Sequence, residues 1–122
     1  MGKFVVSQAK TGYKFDLVAG NGEVIATSQI YKSENTCLKG VDSVRRCCVG
    51  EIEDQTVEGF EKTKCPKFQV YVDRAGEFRF RLLAKNGQNI CHGEGYTKLS
   101  SCLNGIESVR KNAVDAKIEM EE

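Results

Sequence analysis

The sequence has one histidine, one proline and no excess of either charge. With 18 basic against 17 acidic side chains the formal net charge is +1, which supplies no field for non-specific attraction to nucleic acid or to an anionic membrane. The N-terminus, MGKFVVSQAKTG, lacks the apolar core of a secretory signal. It also lacks the serine or threonine at position six that N-myristoylation needs. No apolar run approaches the length of a membrane span. These absences suggest a soluble, cytosolic protein without a membrane partner. There is no C-x-x-C, no H-E-x-x-H, no phosphate loop and no Ser/His/Asp motif. We therefore expect no enzymatic activity, no catalytic residue, no metal site and no cofactor.

Hydrophobic residues make up 40% and charged residues 29% of the 122 positions. That is a globular composition, long enough for one domain with its own core. Six cysteines are present. An even number can mean a disulfide framework, but without a secretory signal the reducing interior is the better expectation, and the cysteines read as thiols.

The chain repeats itself. CLKGVDSVRRCC at 37–48 recurs as CLNGIESVRKNA at 102–113, an offset of 102 − 37 = 65. Phe15 and Phe80, Leu17 and Leu82, Asn21-Gly22 and Asn86-Gly87, Tyr31 and Tyr96, and Gly40 and Gly105 obey the same offset. Before the first turn it drops by one, since Lys3-Phe4 matches Lys67-Phe68 and Gly12 matches Gly76. A one-residue difference in a turn explains the slip. We read one domain of two repeats, 3–53 and 67–119, joined by a bridge at 54–66 that ends at the only proline.

Each copy has the same order of elements. KFVVSQ and KFQVYV read as strands. YKFDLVA and FRFRLLA alternate apolar and polar residues with a period of two, the pattern of half-buried strands. Asn21-Gly22 and Asn86-Gly87 offer φ > 0 residues for tight hairpin turns. A third strand follows in EVIATSQ and QNICHGE, with faces that the pattern leaves open. Cys37, Val41, Val44 and Cys48, like Cys102, Ile106, Val109 and Ala113, form an apolar stripe at helical spacing. Ser33 can cap the first helix; the second has Lys98 there, so Thr97 or Ser100 would have to serve. Arg45-Arg46 and Arg110-Lys111 suit the negative C-terminal ends of the helices. Short closing strands are expected at GEIED and AKIEM. A glycine inside a helix costs about 1 kcal/mol against alanine, so Gly40 and Gly105 imply an unusually close approach to a sheet or to the twin helix, and we place both near a pseudo-twofold axis. One unit of this size buries too little to stand alone, whereas two can share a core.

FRFRLLAKNGQ, Tyr96 and CLNGIESVRKNAVDA resemble the YegP-like family of small uncharacterised bacterial proteins, and the likeness covers nearly the whole chain in two tandem copies. The resemblance implies an α+β fold of two β-β-β-α-β units, intertwined as a pseudo-twofold pair with an antiparallel sheet and two helices. It carries over no catalytic residues. The chain departs from the pattern at Cys47-Cys48, Cys91-His92 and Lys98.

The first two departures introduce side chains that can ligate a metal. Cys47, Cys48, Cys91 and His92 make a zinc-like donor set, but adjacent helix positions point about 100° apart, so Cys48 reads as core and Cys47 as helix end. Cys65 reads as a surface thiol. His92 has no evident partner for acid–base work. Arg79 and Arg81 share the polar face of one strand near Tyr71 and Arg74, a combination that can bind a phosphate or RNA; the bland alternative is a solvated face with ion pairs to Glu77 or Glu94. The expectation is a monomeric, non-enzymatic binding or interaction module for a protein or anionic partner, with a nucleic-acid-binding accessory role through Arg79 and Arg81 as the alternative.

Overall fold

A computed structural model describes residues 2–121. Five elements make up the first half: β1 (Lys3–Ala9), β2 (Gly12–Val18), β3 (Val24–Ser28), α1 (Glu34–Cys47) and β4 (Glu51–Asp54). Five more repeat the order: β5 (Lys67–Val72), β6 (Phe78–Leu83), β7 (Asn89–His92), α2 (Leu99–Ala113) and β8 (Lys117–Met120). The strands form one eight-stranded sheet in the order β4-β5-β6-β7-β3-β2-β1-β8. Pairing is antiparallel through the six inner strands. At the two edges it is parallel, β4 on β5 and β8 on β1. Each closing strand therefore leaves its own repeat and completes the other, so the two halves are interlocked.

At the centre Thr27 of β3 pairs with His92 of β7. These positions are equivalent under the 65-residue offset, so the pseudo-twofold axis passes through that pair. Both helices pack on one face of the sheet over Phe4, Phe15, Leu17, Phe68, Phe80 and Leu82, all fully buried. The Phe4–Phe15 and Phe68–Phe80 rings meet edge to face at 5.7 and 6.1 Å in the two halves.

The one-residue slip lies in a turn as expected. Gln8 pairs with Tyr13 and Val72 with Phe78, so these equivalent pairs enclose four residues, 9–12, in the first half and five, 73–77, in the second. The Asn-Gly turns differ from expectation. Within these two turns only Gly22 and Gly87 have positive φ, and no residue type but glycine does among the described residues. Gly22 N–H donates to Ala19 O, while Asn21 Oδ1 accepts from Glu23 N–H. This is a type I turn closed by a glycine bulge rather than a two-residue primed turn. A separate irregularity, within the strand pair itself, explains why the faces of the third strand were illegible. The register shifts at Leu17/Val18 and at Leu82/Leu83, so alternation breaks; Ala26 and Cys91 are buried in the core, and Thr27 and His92 lie on the opposite side.

Helix α1 starts at Ser33, whose Oγ accepts from Thr36 N–H while Thr36 Oγ1 accepts from Ser33 N–H. Helix α2 corrects the expectation for its own start. Its N-cap is Lys98, with no side-chain cap bond, and neither Thr97 nor Ser100 takes the position. Lys98 already has the extended backbone of a cap, φ −125° and ψ 142°, and Ser101 stands where Thr36 stands in α1. Lys98→Ser is therefore expected to stabilise the protein by about 1 kcal/mol, raising the melting temperature by roughly 3–5 °C. Thermal unfolding followed by circular dichroism checks this; an unchanged or lower midpoint contradicts it.

Gly40 and Gly105 explain themselves through tyrosine. A Cβ on Gly105 would lie 2.6 Å from Tyr96 Oη and 3.1 Å from the Phe80 ring, and one on Gly40 would collide with Tyr31 Oη and stand 3.1 Å from Phe15. The approach that each glycine permits is to the sheet and tyrosine of its own repeat; the twin helix contributes none of the nearest atoms.

Candidate functional site

Four groups of polar or reactive side chains emerge once the chain is folded. The thiols are the first. All six cysteines are free, and five are buried. Cys47 is the last residue of α1, as its spacing suggested, but it is 8% exposed against 1% for Cys48. Both thiols thus belong to the core, the one at the helix end included. Burial, then the neighbouring Cys48 and Cys47, push the Cys91 thiol up to about 12. Burial also raises Cys37 and Cys102 to about 11. Such thiols are protonated at neutral pH and are poor nucleophiles. Cys91 points into the core while His92, its neighbour on a strand, points to the opposite face, so the zinc-like set does not converge. Burial, and then Arg79, lower the pKa of His92, which leaves it neutral at pH 7.

The outer face of the sheet is the second group. Arg79 and Arg81 do lie together there, and both are engaged. Arg79 Nε donates to Asp73 Oδ2 at 2.6 Å, so its carboxylate partner is Asp73 rather than Glu77 or Glu94. Arg81 lies with its guanidinium carbon 4.5 Å from the centre of the Tyr71 ring and donates from Nε to Gln69 Oε1 at 2.6 Å. Gln69 passes the chain of bonds to Glu53 at 2.8 Å. A small pocket of 150 Å³ at the central seam brings Arg79 beside His92 and Glu94.

Third, Glu53 and Lys67 form a buried clasp. They are 2% and 8% exposed, and Lys67 Nζ lies 2.7 Å from Glu53 Oε1. Glu53 also accepts from Gln55, Gln69 and the Thr63 N–H, while Lys67 donates to Thr63 O. Burial alone would raise the Glu53 carboxyl. The Lys67 ammonium, then Gln55, the Thr63 N–H and Gln69 outweigh it and hold the group down at about 2.

The fourth group carries the repeat. Two clefts of 220 and 250 Å³ lie between a helix of one repeat and the Asn-Gly hairpin of the other. Ala19, Asn21, Ile25, Tyr96, Gly105 and Ser108 line the first; Ala84, Asn86, Ile90, Tyr31, Gly40 and Ser43 line the second. The same six residue types occupy equivalent positions. Each tyrosine is pinned by paired backbone bonds, Tyr31 with Tyr13 and Tyr96 with Phe78, of 2.7 and 2.8 Å. Burial raises both phenols above their ordinary value, so they stay neutral donors. The clefts differ in charge, because Glu23 and Asn104 in one stand where Gln88 and Lys39 stand in the other. No single repeat contains a cleft, which is why sequence reasoning missed them. The signal was present in the repetition of Asn-Gly, Tyr and Gly, but nothing in it says that hairpin and helix come from different copies.

The model of a domain of unknown function, DUF1508, matches residues 9–54 and again 73–119. The chain belongs to the YegP-like DUF1508 family. The UPF0339 protein PA0329 of Pseudomonas aeruginosa is 31% identical over 115 residues, covering 93% of this chain and 92% of that protein. The UPF0339 protein of the ptx operon 5′ region of Stutzerimonas stutzeri is 65% identical over 48 residues, which is 39% of this chain; the match spans 43% of that relative, less than half its length. The solution structure of yegP from E. coli, a protein of unknown function, superposes with a TM-score of 0.79 at 30% identity, over 98% of this chain and 92% of that one. The family is uncharacterised, so its function has to be argued from this chain's own geometry. No helix among the described residues is long and apolar enough to cross a membrane.

Proposed function

We propose that this DUF1508 chain is a non-enzymatic, cytosolic binding module that acts as a monomer and uses its twin clefts as binding sites. The observation that carries this is the recurrence of phenol, carboxamide, hydroxyl and bare helix backbone in both clefts. These are neutral hydrogen-bonding groups around an apolar floor, the usual composition of a recognition site. Closing-strand exchange already gives each repeat its partner within one chain, which supports the monomer. The outer-face arginines serve the alternative nucleic-acid reading less well, since each is held by a neighbour.

Titration of the labelled protein with small amide and polyol fragments, followed by NMR, tests this. Amide shifts are expected at Asn21, Gly105 and Tyr96 and at Asn86, Gly40 and Tyr31, and Tyr96→Ala should abolish the first set alone. Single-stranded RNA at low salt is the opposing arm. Saturable shifts around Arg79 and Arg81 with RNA, and none at the clefts with fragments, would overturn the proposal. Light scattering that gave a dimer mass would remove the monomer.

A further inference from the structure

The buried clasp has a twin. Lys3 is the counterpart of Lys67. Glu119 is the counterpart of Glu53 at the offset of the closing strands, 117 − 51 = 66, because α2 has 15 residues and α1 has 14. Lys3 Nζ lies 3.1 Å from Glu119 Oε2 on the outer face, as Lys67 does from Glu53. The backbone agrees: Glu121 N–H donates to Val6 O as Gln55 N–H donates to Val70 O, both at 2.8 Å. The same cation–carboxylate pair therefore stands at both ends of the sheet.

Among the described residues only one of the two is occupied by backbone. At the β4–β5 end the segment 55–66 crosses over the pair, and Thr63 gives its N–H to Glu53 and its C=O to Lys67, at 3.0 and 2.9 Å. The ion pair thus reads both backbone polar groups of one residue. At the β1–β8 end the side chains of Lys3 and Glu119 are 45% and 58% exposed. Beside them β8 has no strand on its outer edge among the described residues, and Ile118 and Met120 stay exposed. An unpaired edge of this kind presents free backbone donors and acceptors to another chain.

The two ends differ in a way that selects the occupant. Gln55 and Gln69 both donate to Glu53. Their counterparts at the other end are Glu121 and Val5. Glu119 thus lacks those two carboxamide donors and gains a carboxylate neighbour, so whatever lies there must bring its own donors and positive charge. The segment that fills the first clasp carries Lys62 and Lys64 on either side of Thr63, a sequence suited to such a site.

We propose that Lys3 and Glu119, with the free edge of β8, form a second backbone clasp that takes an extended, lysine-bearing segment of a partner protein. The segment's peptide N–H bonds Glu119, its C=O bonds Lys3, and its lysines face Glu119 and Glu121.

The test uses the intact chain and a synthetic peptide of its own residues 55–66, QTVEGFEKTKCP, titrated by NMR. Saturable shifts are expected at residues 3–6 and 117–121, with a dissociation constant of about 1 mM or tighter. Glu119→Ala should weaken binding about tenfold, the scale of one charge-assisted bond, and so should replacing both peptide lysines by glutamate. Lys3 and Glu119 are exposed, so these variants keep the native spectrum elsewhere. No saturation to several millimolar, shifts confined to the twin clefts or to residues 53–67, or equal binding by Glu119→Ala would each overturn the proposal. So would light scattering that showed this edge already closed by a second copy in a dimer that Glu119→Ala dissociates.

Discussion

Lys67→Met is expected to destabilise the protein by about 3–5 kcal/mol, while Lys3→Met at the equivalent position changes stability by less than about 1 kcal/mol. The geometry of the two pairs is nearly the same, 2.7 against 3.1 Å. Burial decides between them. Without Lys67 the Glu53 carboxylate remains 2% exposed with no opposing charge, and the Thr63 carbonyl loses its donor. Without Lys3 the Glu119 carboxylate turns to water. Urea denaturation of both variants measures the contrast, and equal losses would refute it.

The same pair dictates a pH dependence. The folded protein holds Glu53 at about 2, below its ordinary 4.5, so the unfolded chain takes up the proton first. The resulting stabilisation is present in full above the ordinary value and is lost as pH falls from there toward 2. Glu53→Gln should flatten this part of the acid limb. In Lys67→Met burial acts without its counterweight and Glu53 protonates more readily. The deficit of that variant should therefore shrink on acidification. A deficit independent of pH would mean that Lys67 acts through packing instead of charge.

Arg110→Ala is the second large effect, expected at about 2–4 kcal/mol. Arg110 of α2 donates from Nε to Cys48 O and from Nη2 to Gly50 O, at 3.2 and 2.7 Å, where the first half turns from α1 into β4. Its guanidinium also lies 5.4 Å from the Phe68 ring centre. Two bonds to a charged donor and a cation–π contact sum to about 4–8 kcal/mol; the side chain is 30% exposed, and water that takes its place at the two carbonyls cuts the loss to the stated range. Arg45 does the reciprocal work, donating from Nη2 to Ala116 O ahead of β8 and lying over Phe4. With one carbonyl in place of two, Arg45→Ala should cost less. Arg110→Lys should recover less than half of the loss, because an ammonium cannot reach two carbonyls as a planar fork does. Equal stability of Arg110→Lys and the wild type would show that charge at the helix end is all that matters.

These arginines mark how far sequence reasoning reached. Ser-Val-Arg recurs in both copies, and a basic residue near a helix C-terminus is sufficiently explained by the dipole. That explanation is incomplete. Each arginine ties its own helix to the segment by which the other half's closing strand departs, and a contact 60 residues away leaves no trace in local spacing. The residue pattern hid the exchange of β4 and β8 for the same reason, since periodicity tells that a strand exists and which face is apolar but not which edge it joins; only the family resemblance implied an intertwined pair. The site followed the same division. Arg79 and Arg81 were legible as neighbours by their period of two, but Asp73 and Tyr71, which hold them, were fixed by turn geometry and register.

By itself the sequence determined the repeat, the order of elements, the cap at Ser33 and the stripe that faces the core, because each depends on residues within one or two turns of one another. It also determined the family resemblance. Tertiary structure alone decided that β4 and β8 are the strands that interlock the halves, that a helix and a foreign hairpin enclose each cleft, and that Glu53–Lys67 is buried while Lys3–Glu119 is not. The physical reason is that identical local sequences fold alike, but solvent is excluded only by what packs on top, and the segment 55–66 packs on one end of a nearly symmetric sheet.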